Sequence, residues 1–328
     1  MRIRLVVIFL FVGISVGYAQ NHIEPFHTRN LSPLIHFFGI PNQNGGEVLQ
    51  KKDFVFGNYL NIANNATLSR LQEETVYLDG EMYRNDIILR YGLFDKLEVE
   101  LSVPLVRHSS GLMDPFITGW HNTFGLPAKG RDEMENYKLT YLYQENETTY
   151  VLMNEGKLDI GDIALRLTTP LLQNDKHLLS LSTFVKFSTG EKSQLIGSGT
   201  NDLGFNLSGR LLNDRADRGF TWFYSGGYMR IGSGAVLDDF LSRDILFGSL
   251  GSAYRINQKW IPKVQLDFHS GFYKESATRQ LGKESIQLII GTDYYISKKL
   301  NLSASFSEDL IVNTAPDFVL QFGVSYKL

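Results

Sequence analysis

Apolar and polar side chains alternate along the last stretch of the chain, residues 318–328. The apolar positions are Phe318, Leu320, Phe322, Val324, Tyr326 and Leu328, and the positions between them are mostly small or polar. Successive side chains of a β-strand point to opposite faces, so the pattern predicts a strand with one apolar face. Because the alternation continues to residue 328, we expect both edges of this strand to be paired, as they are in a closed barrel.

Similar alternating segments recur along the chain and predict twelve strands. Their approximate ranges are 54–62, 83–93, 97–105, 159–171, 178–189, 200–212, 220–231, 244–256, 260–273, 285–296, 300–308 and 318–328. An even number of antiparallel strands is typical of bacterial membrane barrels, and about 9–11 residues cross a bilayer at the usual tilt.

The short turns allow the register of neighbouring strands to be worked out. If Leu93 faces Leu97, an antiparallel ladder puts apolar pairs on one face and opposite charges on the other. The resulting pairs are Tyr91 with Val99, Leu89 with Leu101, Ile87 with Val103 and Arg90 with Glu100. The same procedure pairs Ile256 with Trp260, Leu250 with Leu266, Tyr294 with Leu302 and Ile290 with Phe306.

The connections between these strands separate into two sets by length. Short turns fall at 94–96, 172–177, 213–219, 257–259 and 297–299, and longer connections at 64–81, 106–158, 190–199, 232–243, 274–284 and 309–316. A soluble sandwich gives no reason for every long loop to lie at one end. The sequence therefore predicts an all-β fold, a transmembrane antiparallel up-and-down β-barrel of about twelve strands in the cell outer membrane, with both chain ends periplasmic.

Outward-facing aromatic residues are predicted to form two interfacial belts. Those near the inner strand ends are Tyr91, Tyr254, Trp260, Tyr294 and Tyr326, and those near the outer ends are Tyr83, Phe187, Phe272, Phe306 and Phe318. Aromatic belts at both membrane interfaces are a property of transmembrane barrels, whereas packing between two soluble sheets does not require them.

The N-terminal region has a different composition from the barrel. Residues 1–19 have the arrangement of a secretory signal peptide, with Arg2 and Arg4, an apolar run and small residues before the expected cleavage after Ala19. Residues 20–46 are irregular and contain an apolar patch at 34–38; this segment is expected to be periplasmic, a short strand or a lumen plug. The barrel is assigned to residues 47–328. A net charge of -3 gives no reason to expect nucleic acid as a partner.

The longest predicted loop contains the pattern of a helix. Asp114 is a suitable N-cap, Pro115 a suitable first residue, and Gly125 and Pro127 suitable stops. The apolar stripe of this predicted helix is Leu112, Phe116, Trp120 and Phe124. Three interpretations remain open: Phe116, Trp120 and Phe124 cover the barrel mouth, they lie in the membrane interface, or the helix folds back on loop aromatics.

This helical stretch is one of four motifs that carry a family resemblance. The others are residues 32–41, the Gly161 and Asp162 pair, and the Glu308 and Asp309 pair. Together they resemble an uncharacterised Gram-negative outer-membrane barrel family, domain of unknown function 3187. The resemblance implies outer-membrane lipid and the barrel-assembly machinery as partners, but no substrate. The last strand is similar to the terminal strand that this machinery recognises, although it ends in Leu328 instead of an aromatic residue.

Charged side chains of both signs occupy the inward-facing positions. The predicted pore-lining residues are Arg84, Asp86, Arg90, Glu98, Glu100, Arg166, Lys186, Lys263, Asp267, His269 and Asp293. They form either a hydrated channel that selects small polar solutes or a self-neutralising network that fills the lumen. We predict a channel or carrier that binds a small molecule; the alternative is a non-transporting structural or surface-interaction barrel.

Enzymatic activity has weak support in the sequence. An outer-membrane hydrolase needs a serine and a histidine together on the outer surface, but Ser270 is predicted to point outward and His269 inward. His121, Asp114 and Glu133 share a loop without metal-ligand spacing. We therefore predict that the protein is not an enzyme and has no cofactor or metal site.

Overall fold

The structure, a computed structural model, describes residues 23–115, 119, 137–212, 219–274, 276–310, 314–316 and 318–328. The predicted signal peptide and most of the predicted loop helix, including Phe116, Trp120 and Phe124, lie outside the described residues.

Fifteen strands are present in this part of the chain. They are β1 (Phe54–Leu71), β2 (Glu74–Phe94), β3 (Leu97–Ser109), β4 (Thr140–Glu145), β5 (Thr148–Met153), β6 (Leu158–Ile160), β7 (Ala164–Gln173), β8 (His177–Lys186), β9 (Asp202–Leu211), β10 (Gly219–Ile231), β11 (Asp244–Arg255), β12 (Trp260–His269), β13 (Ser285–Tyr295), β14 (Leu300–Asp309) and β15 (Phe318–Lys327). One short helix, α1 (Arg279–Gly282), and the 3-10 turns Lys192–Gln194 and Asp238–Phe240 lie in connections. Within the described ranges, no helix is long and apolar enough to cross a membrane.

Twelve of these strands close into an antiparallel barrel. From β7 to β15 each strand pairs with the next, β15 pairs with β1 from Val55 opposite Lys327 to Asn64 opposite Phe318, and β1, β2, β3 and β7 complete the ring. The predicted barrel of twelve strands is confirmed. Closure pairs both edges of β15, which is what its uninterrupted alternation predicts.

The observed register agrees with the predicted pairs except at one turn. Tyr91 lies opposite Val99 and Arg90 opposite Glu100, but Phe94, not Leu93, lies opposite Leu97. Gly92 forms backbone hydrogen bonds with Lys52 and Asp53. Gly92 also remains opposite Glu98 in the β2–β3 ladder, and Leu93 is the extra residue of a β-bulge, so the predicted Leu93–Leu97 pair is wrong.

The strands of the structure differ from the predicted strands in three places. The predicted connection 64–81 is instead a hairpin, because β1 and β2 continue to Leu71 and from Glu74. β4 and β5, within the predicted loop 106–158, pair with each other and with the extended part of β2. The predicted strand 159–171 is interrupted at 161–163, where the Asp162 side chain binds the 189–198 connection instead of continuing the ladder.

The two faces of the barrel wall have opposite chemistry. In β9, Leu203 and Phe205 are exposed, whereas Asp202 and Asn206 are buried. An apolar exterior and a polar interior are the pattern of a membrane barrel. Two residues of the predicted aromatic belts, Phe272 and Phe318, are instead buried.

Six aromatic rings face a glycine directly across the ladder. The pairs are Tyr59 with Gly323, Phe184 with Gly204, Tyr224 with Gly209, Phe223 with Gly251, Phe247 with Gly227 and Phe268 with Gly248. A Cβ atom on any of these glycines would collide with the opposite ring. The glycines therefore provide room for rings to lie flat on the strongly curved wall, as aromatic residues do in other sheets.

An apolar cluster, which we call the outer cap, covers the barrel end that carries the longer connections. Its members include Leu34, Phe37, Phe38, Tyr141, Tyr143, Val236, Leu237, Leu241, Phe272, Tyr273 and Leu281. Phe272 stacks on Phe38, with ring centroids 4.9 Å apart. The outer cap explains why Phe272 is not on the lipid face: it packs against the N-terminal region, which a single strand pattern does not reveal.

Candidate functional site

Residues 23–50, which we call the lumen segment, run up and back down inside the barrel without forming a strand. The ascending limb, residues 23–31, follows β12. The backbone N–H of Phe26 donates to Gln265 Oε1 at 2.8 Å, and Asn30 Nδ2 lies 2.9 Å from His269 Nε2. Since Gln265 and His269 are inward positions separated by Asp267, with His269 nearer the outer end of β12, this limb runs along the wall toward the outer end.

A tight turn at residues 32–38 reverses the lumen segment beneath the outer cap. The backbone N–H groups of Ile35 and His36 both donate to Ser32 O, at 2.9 and 3.0 Å. Tyr273 donates its hydroxyl to Leu34 O at 2.6 Å. The apolar side chains of this turn are part of the outer cap, so burial of apolar surface holds the turn at the outer end of the lumen.

The descending limb, residues 39–50, returns along the opposite part of the wall. The N–H of Gly39 donates to Asp202 Oδ2 at 2.8 Å, near the outer end of β9. The N–H of Leu49 donates to Glu98 Oε2, also at 2.8 Å, near the inner end of β3. The lumen segment therefore enters and leaves at the same, inner end of the barrel.

All eleven predicted pore-lining residues contact other polar groups inside the barrel. Arg84 and Asp86 form a buried pair on β2, with Arg84 Nε 3.0 Å from Asp86 Oδ1. Arg84 also donates to His36 O at 3.3 Å, and Asp86 Oδ2 lies 3.6 Å from His27 Nε2. This pair thus contacts both the ascending limb and the turn of the lumen segment.

Arg90 and Glu100 lie opposite each other but take different principal partners. Arg90 Nε is 2.6 Å from Glu98 Oε1 and 3.9 Å from Glu100 Oε2. Glu100 instead forms an ion pair with Arg166, which also donates to Asn42 O at 2.6 Å. The Arg90–Glu98 pair is diagonal across the β2–β3 ladder, whereas Glu100 and Arg166 lie directly opposite each other in the β3–β7 ladder. Arg166 connects these charges to the lumen segment.

Lys186 lies between two carboxylates near the outer end of the wall. Its Nζ is 2.8 Å from Asp162 Oδ2 and 3.1 Å from Asp202 Oδ2, and it also contacts Ser198 Oγ. Asp202 in turn accepts the hydrogen bond from Gly39. A buried cation with two carboxylates and a hydroxyl has its hydrogen-bonding capacity met, which is the condition for stable burial of charge.

The remaining predicted residues contact the ascending limb either directly or, for Asp293, through Lys263. Lys263 Nζ is 2.8 Å from Asp293 Oδ1 and donates to Glu24 O at 2.8 Å. Asp267 accepts a 2.6 Å hydrogen bond from Thr28 Oγ1. With the Asn30 contact of His269, every predicted residue on β12 and β13 takes part in this set of contacts.

Burial controls the charge of both histidines in the lumen segment. Burial lowers the pKa of His36 well below its ordinary value of 6.5, and the nearby His108 and Arg84 act in the same direction. Burial also lowers the pKa of His27, against the opposing effect of Asp86. Both side chains are therefore neutral at pH 7 while the segment lies in the lumen.

A cavity of about 100 Å³, the inner cavity, remains between the ascending limb and the wall. It is bordered by residues 24–27 and by inward-facing residues of β1, β2 and β12–β15, at the end that carries the short turns. It lies opposite to the outer cap, so the lumen has a closed apolar end and a more open polar end.

Sequence reasoning did not identify the residues of the lumen segment as partners of the wall. Thr28, Asn30 and Asn42 lie in a stretch without periodicity, so no signal in one sequence assigns them. Gln265 was also missed, although the inward alternation of Lys263 and Asp267 includes it. In the part of the chain that the structure covers, no group of three or more His, Cys, Asp or Glu side chains is arranged to hold a metal ion.

The closed barrel, its apolar exterior and its charged lumen define an outer-membrane β-barrel protein. The chain belongs to the family described as "Protein of unknown function (DUF3187)", whose model matches residues 4–328. No curated protein matches the sequence.

Solved structures with a similar fold include outer-membrane channels. The COG4313 outer membrane channel from Pseudomonas putida F1 aligns with a TM-score of 0.56 and 12% identity, covering 86% of this chain and 97% of that one. The NanC porin aligns at 0.45 with 9% identity, covering 84% and 100%. The toluene transporter TbuX from Ralstonia pickettii aligns at 0.38 with 12% identity, covering 86% and 90%. At 12% identity, the alignment with the COG4313 channel establishes a shared fold and nothing about function.

Proposed function

We propose that this protein is an outer-membrane channel for small polar solutes, held closed by its own lumen segment. The observation that carries the proposal is how the segment is bound: it has no strand pairing with the wall and is attached through side chains. Side-chain hydrogen bonds contribute only about 0.5–1.5 kcal/mol each because water replaces them. The segment can therefore leave the lumen while the barrel ladder stays intact.

The charges of the wall support a conduit that is stable when hydrated. Among the eleven predicted residues, five are cationic, namely Arg84, Arg90, Arg166, Lys186 and Lys263, and five are carboxylates, namely Asp86, Glu98, Glu100, Asp267 and Asp293. Most of these pair within the wall, so displacement of the lumen segment leaves few unpaired charges. A balanced lining favours passage of small polar solutes without strong selection for one sign of charge.

The barrel is expected to lie in the outer membrane, where lipid and the barrel-assembly machinery are its partners. The 12% identical channel from Pseudomonas putida shares the fold over most of both chains, which supports a channel as the class of function.

A non-transporting barrel is the second candidate, and the outer cap favours it. This apolar cluster joins the turn of the lumen segment to five outer connections or hairpins and closes that end. If the outer cap does not open, the outer connections serve as a binding surface and the charged lumen only stabilises the barrel.

Planar-bilayer recordings of the full chain distinguish the two candidates. The variant Thr28→Ala/Asn30→Ala removes contacts of the ascending limb without altering the wall, so it should raise the fraction of time in open states above that of the wild type. Arg230→Gln, at an exposed pair with Asp244, is the matched control and should behave as the wild type. Absence of conductance above the bare bilayer in the double variant, with folding verified by heat-modifiable gel migration, would refute the channel.

A further inference from the structure

We infer that a small cavity beside Arg29, inside the lumen, is a binding site for a chloride ion. The cavity has a volume of about 30 Å³ and lies between the lumen segment and the strands β2, β3, β7 and β8. We call it the Arg29 cavity. The inference goes beyond the proposed channel, because binding of an ion at this place does not depend on conductance.

Arg29, on the ascending limb, has few partners. Its Nη2 atom donates one long hydrogen bond, 3.4 Å to Asn42 Oδ1 on the descending limb. No carboxylate of the described residues forms an ion pair with Arg29, and its Nη1 atom donates to none of them. Nε of the same group is buried without a partner, whereas Nη1 stays accessible to a species of the size of water. Arg29 therefore has a donor available for a ligand.

The surroundings of Arg29 do not compensate its charge. Burial and repulsion from Arg84 lower the pKa of the Arg29 guanidinium to about 9, against the attraction of Asp86. The group is still protonated at pH 7. A buried cation whose neighbours lower its pKa is stabilised by a bound anion.

The other charged residues that border the Arg29 cavity have partners of opposite sign. Both carboxylates of the lining are therefore already neutralised, and the charge of Arg29 is left over. Asp202, a second partner of Lys186, does not border the cavity and does not act on Arg29. The pairs are Glu100 with Arg166, Asp162 with Lys186, and Arg84 with Asp86.

The size and lining of the Arg29 cavity select the ion. About 10–15 Å³ is enough for one water molecule, so about 30 Å³ holds one small species and excludes phosphate or a carboxylate. Much of the remaining lining is apolar, including Phe38, Ile40 and Phe184. A lining of low polarity strengthens the attraction between a guanidinium and an anion. Chloride, which is singly charged and only slightly larger than water, meets both conditions.

The Arg29 cavity is complete only while the lumen segment is docked. Arg29 comes from the ascending limb, residues 37–42 from the turn and the descending limb, and Arg84 and Arg166 from the wall. A ligand that binds one state of an equilibrium stabilises that state. Chloride is therefore expected to stabilise the docked segment as well as to neutralise Arg29.

The line width of the chlorine NMR signal, measured on the full chain in a non-ionic detergent, tests the site with sodium chloride as the probe. Chloride held by a protein relaxes much faster than free chloride, so exchange with a site broadens the signal. We expect broadening above that of protein-free micelles, and we expect it to saturate with chloride concentration. Bromide should compete for the site, whereas gluconate, which is too large for the Arg29 cavity, should not compete at the same ionic strength.

Variants of Arg29 assign the broadening to this cavity. Arg29→Gln should weaken chloride binding about tenfold, the effect of losing one charge-assisted hydrogen bond. Arg29→Lys keeps the charge and should bind chloride more tightly than Arg29→Gln. Arg230→Gln is the matched control, because the ion pair of Arg230 with Asp244 is exposed, and it should bind chloride as the wild type does. Heat-modifiable gel migration verifies that each barrel is folded.

Three results would refute the chloride site. They are broadening no greater than that of micelles, which leaves water as the occupant, displacement of chloride by gluconate as effectively as by bromide, and chloride binding by Arg29→Gln as tight as that of the wild type. Saturable chloride binding in a protein that never conducts would refute the channel and leave this site standing. Conductance without chloride binding would refute the site and leave the channel standing.

Discussion

Thr28 Oγ1 donates a 2.6 Å hydrogen bond to Asp267 Oδ2, joining the ascending limb to the wall. Gln265 stabilises the same carboxylate by donating to Asp267 Oδ1 at 2.8 Å. Thr28 and Asp267 thus join the lumen segment to a barrel strand, and this makes them suitable for testing whether the segment moves.

A covalent bond between these two positions should keep the channel closed. The native chain has no cysteine, so Thr28→Cys/Asp267→Cys introduces the only thiols. Oxidation, or a short bis-reactive crosslinker, should reduce conductance to the level of the bare bilayer, and reduction of the disulfide should restore it. The single variant Thr28→Cys should not respond to oxidant. Unchanged conductance after complete thiol loss would show that the segment does not close the lumen.

Loss of Arg166 should strongly destabilise the barrel, because it leaves the Glu100 carboxylate buried with only the distant Arg90. We expect Arg166→Met to reduce the free energy of unfolding by about 3 kcal/mol. Glu100→Gln/Arg166→Met should recover most of this loss, since no buried charge is left unpaired. Denaturant unfolding in lipid vesicles, followed by tryptophan fluorescence, measures both values.

Arg230→Met provides the comparison for this experiment. Its ion pair with Asp244 is exposed, so water solvates both charges and no measurable change in stability is expected. A double variant as unstable as Arg166→Met would contradict the assignment of the loss to the unpaired Glu100.

Acidification should release the lumen segment. His36 has a lowered pKa when buried and regains its ordinary value of 6.5 when the segment leaves the lumen. Below that pH the displaced state binds a proton that the docked state does not. Docking is therefore fully stable above pH 6.5 and weakens as the pH falls, by up to about 1.4 kcal/mol per pH unit for one histidine.

Protease cleavage within residues 23–50 measures this release between about pH 7.5 and pH 5. Cleavage should accelerate on acidification in the wild type and depend less steeply on pH in His36→Asn, with His27 responsible for the remainder. An equally steep dependence in His36→Asn would exclude His36 as the titrating group.

A methyl group at Gly323 should displace the Tyr59 ring. A Cβ atom there would lie 2.6 Å from Tyr59 Cδ1, and Tyr59 carries the stack on His27. We expect Gly323→Ala to reduce the free energy of unfolding by about 1–3 kcal/mol, the usual cost of overpacking. Gly226→Ala is the control, because a Cβ atom at Gly226 meets no atom within 4 Å. Equal stability of the two variants would show that the ring moves at no cost.

The barrel strands and their register were predictable because one face meets lipid and the other does not. A period of two is then imposed on every strand, and a shift by one residue would reverse it. The bulge at Leu93 was not predictable, since a single unpaired residue beside a short turn leaves no mark in the alternation.

The β4–β5 hairpin was missed for a different reason. Tyr141, Tyr143, Val151 and Met153 do alternate, but the strands they form pair above the ring of twelve and are not needed to close it. A count of membrane-crossing strands therefore assigns them to a loop.

The inward-facing charges were predictable as a set, but their partners were not. Thr28 and Asp267 are separated by 239 residues, and no local pattern specifies a contact of that range. The opposition of Arg90 and Glu100 was correct in the ladder, yet Arg90 pairs with its diagonal neighbour Glu98, and Glu100 pairs with Arg166, which lies opposite it on β7.

The lumen segment enters and leaves by one end, and this has a topological consequence. A chain that passed from end to end through the closed ring could be removed only by unthreading a terminus or by separating β15 from β1. A segment that enters and leaves through the same end of the barrel can be withdrawn through that end without opening the ring of strands. If the segment closes the channel as proposed, opening is a reversible sliding movement that leaves every rung of the wall in place, and the barrel can finish closing before the segment enters it.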